Sequence, residues 1–336
     1  MKKTTISQVA AAAGVSPSTV SLILNGRRSG DDRISDETRQ RVLTVVADLG
    51  YVPNQTARIL RRKATERICL WLVRLGVPYN DLLSNAVQEA ADQHGYSLII
   101  CTGSTAERQK QVLWDLRRGL ADGVLVAGPD LFDNDDLTDL ARSGVAVVAY
   151  SNTLYGKEID VVRTTEYDSS QEAVEFLVSK GHKRIGYIGL VSTPHGAYPR
   201  FVAYRNVLMQ YHLPFADWMA CQHDTVSRDQ AYRCSQALIA HPERPTAIFC
   251  SNDLAAISTI WAIRDAGLRV PEDVAVVGAG NIPDASLTNP PLTTIGPPTL
   301  DFSMLIHYLF SRLLGEAPAE GRIHTIQWQL IQRASV

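Results

Sequence analysis

Groups suited to chemistry gather first near one end of the chain. Thr5, Ser16, Ser18, Thr19 and Ser21 place five hydroxyls in a short stretch of a basic segment. Residues 1–63 hold 11 Lys/Arg against 5 Asp/Glu, while the rest holds 22 against 30. A basic head on an acidic body is the charge pattern of a segment that meets a polyanion. Hydroxyls and free N–H groups at helix starts suit phosphate oxygens. The segment "GVSPSTVSLILN" is poor in side chains that read base edges, with Asn25 its only Arg, Lys, Asn or Gln.

Catalytic chemistry is not signalled. G-x-S-x-G, H-E-x-x-H and G-x-x-x-x-G-K-[ST] are all missing from the sequence. The 8 histidines are scattered, and His182 in "KGHKR" reads as a loop or capping residue. "GAGNIP" begins like a dinucleotide fingerprint but lacks its third glycine and runs into Pro283. The 5 cysteines form no C-x-x-C and no close cluster with histidine, and read as small, reduced core residues. We expect no enzyme activity, no metal and no cofactor.

These groups need elements to hold them. In the head, Thr5 with Gln8 forms a capping box, and Val9, Ala10 and Ala13 form an apolar face. Gly14 stands where a left-handed helix stop is wanted. Ser16 caps a second helix with Pro17 in its first turn, and Val20, Ile23 and Leu24 repeat at helical spacing. Ser35 caps a third, with Val42, Val45, Val46 and Leu49 facing inward. Two short helices around an "AGVS" turn, crossed by a third, describe a helix-turn-helix unit. From Ile68 onward, apolar runs such as "ICLWLV", "GVLVAG", "RIGYIG" and "VAVVGAG" alternate with helical stretches such as "QEAVEFLVSKG". That alternation implies parallel βαβ units, and the length implies two lobes with a cleft at the carboxyl ends of the strands.

The chain resembles the lactose-repressor (LacI) family of bacterial transcription regulators. In the head the resemblance rests on "TTISQVAAAAGVSPSTVSLILNG" and "RISDETRQRVLTVVADLGYVPNQTAR"; in the body it rests on "LADGVLVAG", "GHKRIGYIG", "RPTAIFCSNDLAAISTIWAIRDAGLRVPEDVAVVG" and "PPLTTI". It implies an all-α helix-turn-helix head over 1–52 and a hinge helix over 53–65. An α/β two-lobed core like periplasmic binding proteins would follow over 66–336. Lobe one would take about 66–164 and 296–323, and lobe two about 165–295 and 324–336. The implied partners are double-stranded operator DNA, a small-molecule effector and a second copy of the chain, with no membrane and a cytoplasmic setting. "MKKTTISQVAAAAGVS" has no long apolar core, so export as a sugar-transport protein is not expected.

Carried over position by position, Pro17, Ser18 and Leu22 face bases in the major groove. Thr5, Ser16, Thr19, Ser21 and Asn25 support them. Leu60 wedges into the central base step of the minor groove, with Asn54, Ala57 and Arg61 alongside. The implied effector residues are Tyr79, Asn80, Ser151, Asn152, Arg200, Asn252 and Asn281, with Tyr79 stacking on a ring and Arg200 clamping hydroxyls or an anion. Several positions depart from the family. Gly280 stands where an aspartate is usual, Val226 where some relatives have an aromatic, and Thr165–Glu166 where an Asp-Asn pair is usual. Residues 27–32 lengthen the loop after the second helix. The departures remove typical acceptors for sugar hydroxyls and keep open a ligand-independent regulator.

Overall fold

The computed structural model describes residues 4–24, 34–52, 64–128, 132–193, 196–222 and 227–336. Asn25, Asn54, Ala57, Leu60, Arg61, Val226 and the loop at 27–32 lie outside them. The chain divides into two compact units, Met1–Ala64 and Thr65–Val336.

The first unit holds α1 (Ile6–Ala13), α2 (Pro17–Leu24) and α3 (Asp36–Asp48). The Thr5–Gln8 capping box closes reciprocally: Gln8 N–H donates to Thr5 Oγ1 at 3.4 Å, and Thr5 N–H donates to Gln8 Oε1 at 2.8 Å. Gly14 follows α1 at φ 64°, a left-handed conformation that costs glycine nothing. The chain turns by 102° between α1 and α2. Val9, Ala10, Ala13, Val20, Ile23 and Val42 form one small core, and Arg41 Nε ties α3 to the end of α1 through the Ala13 carbonyl at 3.0 Å. Leu49, expected inside, is 40% exposed because it lies just past α3, where the helical face no longer turns inward.

The second unit is two parallel-sheet lobes. Its first half runs β1 (Arg67–Leu72), α4 (Pro78–His94), β2 (Ser97–Thr102), α5 (Ala106–Arg117), β3 (Gly123–Ala127), α6 (Asn134–Arg142), β4 (Ala146–Tyr150) and β5 (Asp160–Thr164). Its second half begins with α7 (Glu166–Ser179), β6 (Ile185–Gly189), a small hairpin of β7 (Ser192–Thr193) and β8 (Gly196–Ala197), α8 (Pro199–Gln210) and β9 (Ala220–Gln222). It continues with α9 (Arg228–Ala240), β10 (Ala247–Cys250), α10 (Asp253–Asp265), β11 (Ala275–Ala279), α11 (Pro283–Leu287) and β12 (Thr293–Gly296). The end of the chain adds α12 (Ser303–Leu313), β13 (Ile323–Ile326) and β14 (Gln329–Ile331).

One sheet is ordered β13-β5-β4-β3-β1-β2 and is parallel throughout. The other is ordered β14-β12-β11-β10-β6-β9, with only the β12–β14 pair antiparallel. Strands β3, β6 and β11 are buried along their whole length, which is why they read as unbroken apolar runs. The chain crosses between the sheets after β5, after β12 and after β13. Because β13 pairs with β5, the third crossing follows Ile326. Asp160 secures this edge: it is fully buried and accepts hydrogen bonds from Arg312 Nε at 2.7 Å and Arg322 Nη2 at 2.7 Å. The cysteine expectation needs one correction, since Cys221 and Cys234 form a disulfide. Strand β9 runs along the sheet edge against α9, which brings the two Cα atoms to 5.7 Å, well within bridging distance.

Candidate functional site

Two surfaces carry candidate function, one in each unit. On α2, the inward stripe of Val20 and Ile23 leaves Pro17, Ser18 and Leu22 exposed, with Leu22 41% exposed. An exposed leucine beside an exposed serine, on the second helix of a bent pair, is what an apolar and hydroxyl contact with base edges requires. The Ser16 hydroxyl accepts from Thr19 N–H at 3.1 Å and pairs with the Thr19 hydroxyl at 2.9 Å. These two residues therefore cap α2, while Ser21 is half-buried.

In the core, strand ends from both sheets converge on a cavity of about 200 Å³. Tyr79 in the first turn of α4 stacks against Tyr150 at the end of β4, ring centroids 5.7 Å apart, and meets Phe302 edge-on at 5.2 Å. Burial pushes both phenols up, so they remain protonated. Ser151 and Asn152 follow β4, and Asn152 Nδ2 donates to Glu166 Oε1 at 2.6 Å and to Thr164 Oγ1 at 2.9 Å. Glu166 opens α7. Its Oε2 accepts from Arg200 Nε at 2.8 Å and lies 2.7 Å from Arg200 Nη2. Arg200 Nη1 donates to the Ser251 carbonyl, and the guanidinium lies 4.9 Å from the Trp328 ring centre and 5.7 Å from that of Tyr198.

Asn252 caps α10 by accepting from Ala255 N–H at 2.8 Å. Beside it, Asp253 is buried at the foot of the cavity. It accepts from Thr294 Oγ1 at 2.5 Å and from Ile282 N–H at 2.9 Å. Burial pushes its carboxyl up to about 6, against the pull of those two donors. Glycine is required nearby: a Cβ on Gly278 would lie 2.3 Å from Asp253 Oδ1.

Of the residues expected in the cleft, Tyr79, Ser151, Asn152, Arg200 and Asn252 line the cavity. Asn80 and Asn281 do not. Asn80 turns back to donate to the Arg74 carbonyl at 2.9 Å, closing the turn after β1. Asn281, at φ 51°, directs its amide to the Pro297 carbonyl at 2.9 Å and accepts from Arg333 Nη2 at 2.8 Å. It ties the end of β11 to the second crossing and to the segment after β14.

Comparison with known proteins follows the same division. Residues 5–54 match bacterial regulatory proteins of the lacI family, and residues 174–336 match the periplasmic binding protein-like domain. The HTH-type transcriptional repressor PurR of Mannheimia succiniciproducens is 33% identical over 295 residues, covering 87% of this chain and 86% of the relative. The chain belongs to the lacI family of bacterial regulatory proteins. Two solved structures are similar over nearly the whole length. The lac repressor dimer bound to operator and the anti-inducer ONPF has a TM-score of 0.77 and 26% identity, covering 99% of each chain. A complex of the transcriptional regulator CelR with cellobiose has a TM-score of 0.68 and 25% identity, covering 99% of this chain and 100% of that one. As a lacI-family member the chain is a DNA-binding transcription regulator with a two-lobed α/β core.

Within the family frame, sequence reasoning passed over Tyr150, Tyr198, Asp253 and Trp328, and read Glu166 only as a missing feature. Tyr150 directly precedes Ser151, and Asp253 follows Asn252 in the first turn of α10, so both were adjacent to named candidates. Trp328 sits between two short strands without any periodic signal. Its backbone N–H donates to Thr165 Oγ1 at 2.9 Å, and its ring lies over Arg200.

Proposed function

We propose that this protein binds a near-palindromic DNA operator as a homodimer and represses transcription there, and that a small molecule in the inter-lobe cavity changes its affinity for DNA. The observation that carries the effector half is the cavity itself. Its wall is drawn from α4, β4, α7, α8, α10, β11 and the third crossing, so one occupant touches both lobes. A ligand that fits one arrangement of the lobes better than another shifts their equilibrium, and DNA binding is linked to the same equilibrium. A coupling of about 1–3 kcal/mol makes a useful switch. The DNA half rests on the exposed Pro17, Ser18 and Leu22 of α2, with the capped starts of α1 and α2 available to phosphates. On the family pattern, Leu60 and its neighbours Asn54, Ala57 and Arg61 read the minor groove at the operator centre.

Selection of bound sequences from a random DNA pool, with and without a metabolite extract, tests both halves. The expected result is an enriched near-palindrome whose recovery changes when extract is present. Enrichment without symmetry removes the homodimer reading. A second reading, a regulator that needs no ligand, is favoured by one observation: Glu166 and Arg200 already neutralise each other inside the cavity. It predicts enrichment that the extract leaves unchanged.

A further inference from the structure

We infer that the cleft selects an uncharged compound with a flat ring, and that Glu166 excludes the anionic counterpart of the same shape. The inference rests on the effector reading above. Arg200 is the one cation among the described residues lining the cavity, against the two carboxylates of Glu166 and Asp253. All three of its guanidinium nitrogens are engaged, two by Glu166 and one by the Ser251 carbonyl. Its side chain is only 12% exposed, as is that of Glu166. One N–H on each Nη is left over, but an anion that reaches them stands against the buried Glu166 carboxylate, in a lining that holds two carboxylates to one cation.

Hydroxyl-rich ligands are poorly served for a related reason. Each of the four carboxylate oxygens already has an acceptor position filled by the protein, which leaves fewer for ligand hydroxyls: Glu166 accepts from Asn152 and Arg200, Asp253 from Thr294 and Ile282. Gly280, in the same wall, adds no side chain. Ser151, Thr164 and Asn252 add polar groups, but most of the rest of the wall is aromatic or aliphatic: the stacked Tyr79 and Tyr150, with Val77, Leu254 and Ile282. Such walls favour stacking on a flat ring. The volume of about 200 Å³ lies below the range of about 300–1,000 Å³ for sites of drug-sized ligands. A cavity of that size suits one ring or a small fused pair.

Thermal unfolding of the full chain with pairs of one shape and two charges tests this: benzyl alcohol against benzoate, and nicotinamide against nicotinate, with glucose and glucose 6-phosphate alongside. The expected result is a Tm rise with the uncharged rings and none with the carboxylates. In Glu166→Gln, carboxylate binding should tighten roughly tenfold by titration calorimetry, because Arg200 is released. Glu166→Met gives the same release without a hydrogen-bonding replacement, and the wild-type pairs decide the charge rule even where a variant fails to fold. Stabilisation of the wild type by benzoate or nicotinate equal to that by their partners overturns the inference, as does stabilisation by glucose or its phosphate alone. Either result leaves the effector reading standing. A screen in which neither these probes nor metabolite extract shifts the Tm overturns both.

Discussion

Asp160 and Asp253 are both fully buried carboxylates of the core, and protons act on them in opposite directions. Burial works against the Asp160 carboxylate, but Arg322 and Arg312 hold its pKa below the ordinary value. Its contribution to stability is therefore present above the ordinary carboxylate pKa and is lost as pH falls. Asp253 has no cation bonded to it among the described residues, and burial lifts it to about 6. The folded state then holds the proton more tightly than the unfolded chain, so this contribution is complete below the ordinary pKa and declines as pH rises through about 6. We expect the stability of the wild type relative to Asp253→Asn to fall by about 1 kcal/mol between pH 5 and pH 7. Urea unfolding at the two pH values measures it, and a constant difference rules out titration of Asp253 in that window.

At the scale of elements, α2 separates two jobs by helical spacing. Val20→Ala removes a fully buried side chain and should destabilise the head by about 2 kcal/mol in thermal unfolding. Leu22→Ala should leave head stability within about 0.5 kcal/mol while weakening operator binding roughly tenfold. It should also flatten base preference at one position in each half-site. Unchanged preference in a binding-site selection would take Leu22 out of the interface. The β9–α9 bridge gives a second element-level expectation. Its Cys221 and Cys234 are 13 residues apart, so the double serine variant should lose about 3 kcal/mol on the chain-entropy account. An unchanged denaturation midpoint in reductant would show that the thiols do not pair in solution.

Across the whole molecule, long-period features were legible and short-range geometry was not. The caps at Thr5, Ser16 and Ser35, the stop at Gly14 and the apolar strand runs all follow from composition and period. The strands β9, β13 and β14, of 3, 4 and 3 residues, carry too few residues to show a period. In the cleft, the family resemblance marked Ser151, Asn152 and Asn252. It could not show that Asn281 turns away, because a positive φ at a non-glycine residue leaves no compositional trace. The Glu166–Arg200 pair joins residues 34 positions apart, a contact that no local pattern in the sequence reveals. The charge contrast between the units bears on DNA at this scale too. Leu60→Ala should weaken specific operator binding far more than non-specific binding, which the basic head supplies alone. Equal losses in competition assays would remove the minor-groove wedge.

The clamp on Asp160 has a consequence for the order in which this protein is built. Its two arginines lie 152 and 162 residues downstream, and the strand they flank closes the first sheet. Ser335 likewise donates to the Val276 carbonyl and accepts from Thr293 N–H. As the chain leaves the ribosome from its N-terminus, the first lobe must wait with an open edge beside β5 while the whole second lobe is made. Neither lobe is finished until residues 323–335 arrive, so the two mature together, and the cleft between them forms among the last features of the molecule.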